Sequence, residues 1–149
     1  MFRVLATLRA VESHLKDSGR CADVLVGEPK SAAGLRDMVA AVWMDAAEVV
    51  ALALAETVEV HRVTVRLYRP LLTHPASDAE YALDGAVGDV ERDMIADYTL
   101  GGTVRCIDVG GIYGVPLGAQ MGYVDLGGVL FRVADLTVPF IVDGAAALV

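Results

Sequence analysis

Three histidines, His14, His61 and His74, are the residues of this chain best suited to hold a metal or move a proton. A zinc site needs several such ligands converging. Here they fall on a helical, a strand-like and a loop-like stretch, with no ligand spacing, and read as surface or structural residues. Asp108, Asp125 and Asp135 lie on or beside separate strand-like stretches towards the C-terminus. Convergence would make them an oxygen cluster for a cation; the plainer reading is solvated strand faces or turn contacts. Gly110-Gly111-Ile112-Tyr113-Gly114 has the glycine content of a phosphate loop. It lacks G-x-G-x-x-G between strand and helix, and no Lys-Ser/Thr follows, so it reads as turns. Ser13, Ser18, Ser31 and Ser77 sit in no Gly-x-Ser-x-Gly elbow. Cys106 has no neighbouring histidine in sequence, and a nucleophilic thiol needs a paired base. Cys21 and Cys106 are far apart and form no C-x-x-C pair, as expected of two free thiols. No catalytic, cofactor-binding or metal-ligating residue is assigned, and the reading is non-enzymatic.

The bulk properties point to surfaces shared with other chains. The chain has 149 residues, the length of one domain, and can bury a core without metal or disulfide. Apolar residues make up 55% of it, above the roughly 45–50% of ordinary soluble domains. Mean hydropathy is +0.51. Such a surplus leaves apolar patches exposed or buries them against partners. The formal charge is −8, which argues against a surface that grips nucleic-acid phosphates or anionic lipid. Met1-Phe2-Arg3-Val4 leads straight into a helical pattern, with no signal-peptide pattern. The apolar region 38–55 is interrupted by Asp45 and Glu48, too soon for a membrane span.

These residues must be positioned by an α+β fold: a mostly antiparallel sheet flanked by two main helices. Residues 1–18 read as a helix with Leu5, Leu8, Glu12 and Leu15 on one face, Val4 and Val11 beside them, and a Glu12–Lys16 pair. Gly19 fits its C-terminal cap. A short strand over 23–26 is followed by a Gly/Pro-broken loop over 27–37. Residues 38–44 read as a second strand and 49–54 as a weaker third element; helix is the alternative from 46 to 55. Residues 58–69 alternate apolar and polar side chains, as in a long strand with one buried face. Val58 and Val60 share one parity; Val63, Val65 and Leu67 take the other. A bulge at His61-Arg62 is expected to absorb that slip.

After a turn-rich connection over 70–75, Ser77-Asp78-Ala79-Glu80 matches a capping box opening a helix to about Tyr98. Its apolar face is Leu83, Val87, Val90 and Met94, with Ala86, Ile95 and Tyr98 alongside. Gly85 and Gly88 are costly in a helix, and close approach to the sheet would offset that cost. Gly101-Gly102 ends the helix. Strands are expected over 103–109, 120–126 and 129–142, with Gly127-Gly128 as a hairpin turn. Pro139 belongs at an edge or bulge, and 144–149 form a loose tail.

Arg62, Thr64, Arg66 and Tyr68 line one face of the long strand. They read as an ion-pairing surface towards an acidic neighbouring subunit, or as a solvated polar face. Trp43 and Met44 read equally as interface anchors or as core.

The order of these segments carries a resemblance. The opening helix precedes Asp-Val-Leu-Val-Gly-Glu-Pro (23–29) and a strand pair. Then come Val-His-Arg-Val-Thr-Val-Arg-Leu-Tyr-Arg (60–69), a helix, Leu-Gly-Gly-Thr-Val-Arg-Cys-Ile-Asp-Val (100–109) and a hairpin with Leu-Phe-Arg-Val (130–133). Together they resemble the tail terminator proteins of phages with long non-contractile tails, particularly those infecting actinobacteria. The resemblance spans nearly the whole chain. It implies a single α+β domain, with the 27–55 region as a contact extension. It implies a homohexameric ring at the head-proximal end of the virion tail, assembled in the host cytoplasm. The implied partners are the major tail tube protein and a head-completion (neck) protein. Genomic DNA would pass through the lumen without specific binding. No cofactor or membrane is implied, and no family residue is catalytic. The alternatives are another neck or tube component, such as a head-completion or tail-tube protein, and a small ligand-binding or enzymatic domain.

Overall fold

In the computed structural model, residues 3–31, 37–53, 56–71 and 76–144 are described; for Ala53 and Ala76 only the backbone is. His74, residues 32–36 of the 27–37 loop, most of the 70–75 connection and the tail beyond Gly144 lie outside them. The elements are α1 (Val4–Ser18), β1 (Asp23–Val26), β2 (Val39–Ala53), β3 (Glu56–Pro70), α2 (Ala76–Ala96), β4 (Cys106–Ile107), β5 (Gly118–Leu126) and β6 (Val129–Gly144). The fold is α+β, a single compact domain. Six strands form one sheet in the order β1-β2-β3-β6-β4, with β5 also on β6. Only β1–β2 is parallel.

Strand alternation sorts the side chains onto two unlike faces. Val63, Val65 and Leu67 of β3 and Ala134, Leu136, Val138 and Phe140 of β6 join Val11 and Leu15 of α1 and Leu83, Val87, Val90 and Met94 of α2 in the main core. Both helices therefore pack on the same face. The opposite face carries a smaller cluster, Val39, Ala41, Tyr68, Phe131 and Val133, that includes no helix residue.

Several expectations need correction. The β3–β6 register runs unbroken from Thr57↔Gly144 to Pro70↔Phe131, so β3 has no bulge at His61-Arg62. The register shifts lie in β2, between Met44 and Ala46 and between Val49 and Ala51. The apparent slip has another cause: Glu59 and His61 are buried polar residues on the helix-facing parity. Residues 38–44 and 49–54 are not two elements, because β2 runs from Val39 to Ala53 as one bulged strand, with Leu54 outside the described residues. On α1 the buried stripe is Thr7, Val11 and Leu15, while Leu5 is 57% exposed. The helix is rotated so that Thr7 meets β3. Gly19 caps it in the left-handed conformation, and Lys16 pairs with Glu12 at 3.3 Å, both as expected.

On α2 the face of Leu83, Val87, Val90 and Met94 is buried as expected, but Ile95 and Tyr98 are exposed. The capping box does not form: Ser77 lies inside the helix, and the Glu80 carboxylate goes to Arg132 instead. Gly85 and Gly88 do not approach the sheet; a Cβ at either would meet nothing within 4 Å. Of 103–109 only Cys106 and Ile107 pair as strand, because Asp108 turns the chain by accepting the amides of Ile112 (2.8 Å) and Tyr113 (3.1 Å). The Gly127-Gly128 hairpin is as expected, with positive φ at both residues. Pro139 lies in an interior strand, at the break between β4 and β5. Its carbonyl accepts from the Asp108 amide on that side. β5 pairing ends at Thr137 and β4 pairing begins at Phe140, so no ladder partner is denied a donor.

Candidate interaction surface

On β3, the residues facing away from the helices are Val58, Val60, Arg62, Thr64, Arg66 and Tyr68. Arg66 is the hub. Its guanidinium donates to Asp135 through Nε (2.5 Å) and Nη2 (2.9 Å), and to Glu28 through Nη1 (2.8 Å). It lies 5.2 Å from the Trp43 ring centroid and 5.9 Å from that of Tyr68, a cation–π arrangement. The fork on Asp135 raises the Arg66 pKa further above its ordinary value, against the effect of burial. Tyr68 is fully buried, edge-on to Phe131 at 6.0 Å between centroids. Burial pushes its phenol up, and the Arg66 charge opposes this.

Arg62 lies near the middle of β3, on the same face. It pairs with Glu48 at 2.5 Å and donates to the Tyr113 carbonyl at 3.0 Å, pinning the loop that Asp108 shapes. Of the six residues singled out in the sequence, Trp43, Arg66 and Tyr68 come together, and Arg62 and Thr64 share their face. Met44 does not: it points to the opposite face and packs against the main core. Both arginines find acidic partners in their own chain, on β2, beyond β1 and on β6.

The three aspartates do not converge. Asp108 shapes its loop, Asp125 accepts the Gly128 amide in the hairpin (2.7 Å), and Asp135 holds Arg66. Among the described residues no group of three or more His, Cys, Asp or Glu is placed to hold a metal ion. No helix among them is long and apolar enough to cross a membrane. Cys21 lines an open groove of about 560 Å³ with Arg20, Arg69 and Tyr81. Burial pushes its thiol up to about 11, away from the thiolate that a nucleophile requires.

Sequence reasoning missed one constellation. Thr7 Oγ1 lies 2.8 Å from His61 Nδ1, and His61 Nε2 lies 2.8 Å from Glu59 Oε1. The order hydroxyl, imidazole, carboxylate is that of a catalytic triad. Thr7 is 1% exposed, His61 0% and Glu59 2%, so the hydroxyl meets no substrate-sized opening and the chain of bonds ties α1 to the sheet. Its signal was present in the parity of β3, where two polar residues occupy apolar positions. A second missed cluster is Arg132, which forks onto Glu80 (2.6 and 3.1 Å) with its guanidinium 4.6 Å above the Tyr123 ring. Comparison of the sequence with models of known protein families and with curated proteins gives no match.

Proposed function

We propose that this chain is a ring-forming structural protein of the tail terminator kind, which caps the head-proximal end of a phage tail tube. Six copies stop tube polymerisation and offer the neck protein its docking surface. The reading rests on the resemblance in segment order. The observation that supports it best is the one-sided build of the sheet. Both helices cover one face, while the far half of β2 carries Val49 and Leu52 in the open, at 50% and 74% exposure. Apolar side chains at the end of a bulged strand suit contact with a neighbour. A ring needs heterologous contacts that close after a fixed rotation, which an exposed apolar stretch on one side of a subunit can supply. The net charge of −8 suits a lumen through which DNA slides without adhering.

The test is deletion of the gene from the virus that encodes it, followed by electron microscopy of the lysate. Tails of uncontrolled length without attached heads are expected. Tails of normal length joined to heads would refute the assignment.

A further inference from the structure

We propose that the outer edge of β5 pairs antiparallel with the same edge of a second copy of this chain, about a two-fold axis at Gly122. This contact does not rest on the tail terminator reading.

The two long free edges among the described strands are built differently. Beyond Val42, β2 has no partner in β1, and there it carries two bulges and the charged Asp45 and Glu48. Bulges and charges are what discourage edge-to-edge pairing. β5 has none of these defences along most of its length. Its nine residues pair with β6 in unbroken register, without proline or lysine, and Asp125 is its one charge.

The hairpin fixes which backbone groups are free. Its two-residue turn makes Leu126 and Val129 a hydrogen-bonded pair, and the alternation of an antiparallel ladder follows from there. The N–H and C=O groups of Ala119, Met121, Tyr123 and Asp125 therefore point outward. These four positions are complementary to themselves when reversed. Met121 meets the second copy's Tyr123, Ala119 meets the second copy's Asp125, and Gly122 faces its own counterpart. No like charges are opposed. Met121 and Tyr123 are 40% and 62% exposed, so the pairing buries two methionine–tyrosine contacts on one face. Arg132 holds the Tyr123 ring in place, and Glu80 neutralises that cation.

A cysteine at the axis tests the register. A Cβ on Gly122 would meet only Val133 Cγ2 at 3.9 Å, an ordinary contact, so Gly122→Cys fits the fold. Under mild oxidation of the full chain, Gly122→Cys is expected to give a reducible covalent dimer. Wild type and Gln120→Cys, whose thiol lies off the axis, should not. Independently, Ala119→Lys should tighten the dimer and Ala119→Glu should weaken it, each by about threefold or more in Kd by sedimentation, since each change acts at two symmetric pairs. Equal cross-linking of Gly122→Cys and Gln120→Cys, or a Kd indifferent to the charge at residue 119, would overturn the proposal. So would wild-type protein that stays monomeric at millimolar concentration, or a β5 edge that pairs only with a different protein.

Discussion

Glu59 and His61 occupy positions of β3 that Val63, Val65 and Leu67 would lead one to fill with apolar side chains. A buried carboxylate is tolerated only when it is paired and hydrogen-bonded. His61 supplies that partner, and Thr7 satisfies the other ring nitrogen. His61→Ala is expected to lower stability by about 1–3 kcal/mol, because it leaves the buried Glu59 side chain, among the described residues, only the long 3.5 Å bond from the Thr57 hydroxyl. Thr7→Val should cost about 1–3 kcal/mol, the range for one unsatisfied buried group. Urea unfolding reads both, and a loss under about 1 kcal/mol for His61→Ala would contradict the account. The polar–apolar alternation on β3 was legible in the sequence. The partner of the odd polar pair was not, because Thr7 lies 54 residues away and only the docking of α1 brings it near. The same holds for Arg66, whose type marked it for ion pairing while Asp135 and Glu28 come from distant strands and loops.

Helices and hairpins were the elements most open to prediction. Gly19, the Leu83-Val87-Val90-Met94 stripe and Gly127-Gly128 are local signals, and each marks what it promised. The bulges of β2 were not local: they exist only relative to the β3 register, so the segment read as two pieces. Ser77 and Glu80 illustrate competition. The box sequence is present, but Arg132 offers the carboxylate a bidentate charged partner, stronger than one backbone amide. Gly88 is solvent-facing and unhindered, so Gly88→Ala should stabilise the protein by about 1 kcal/mol, read as a raised urea midpoint. Gly111→Ala should do the reverse. Its φ is +69°, and a Cβ would fall 2.6 Å from the Pro116 backbone nitrogen, a clash that the loop cannot relieve without moving.

At the scale of the whole molecule, α2 is tied near both ends by ion pairs. Near its start Glu80 meets Arg132 of β6, and in its last turns Asp93 meets Arg20 beyond α1. Hydrogen bonds from these arginines hold both carboxyls below the usual carboxylate range. A carboxyl depressed in the folded state adds stability that is present above its unfolded value and lost as pH falls through the folded one. Unfolding midpoints should therefore drop below about pH 4, and the double variant Glu80→Gln, Asp93→Asn should show a shallower acid limb. An unchanged limb would show that these ties do not couple to folding. The central pairing of the sheet has a different kind of consequence. Thr57 bonds to Gly144 across 87 residues, and Arg66 to Asp135 across 69. During translation β2 and β3 emerge with the flank meant for β6 bare, and the sheet cannot close until the chain has been made as far as residue 144. From residue 70 until residue 144 is made, about half of its synthesis, the nascent chain carries a half-sheet with an open seam, and in that interval other unfinished chains can dock on the bare strand and aggregate.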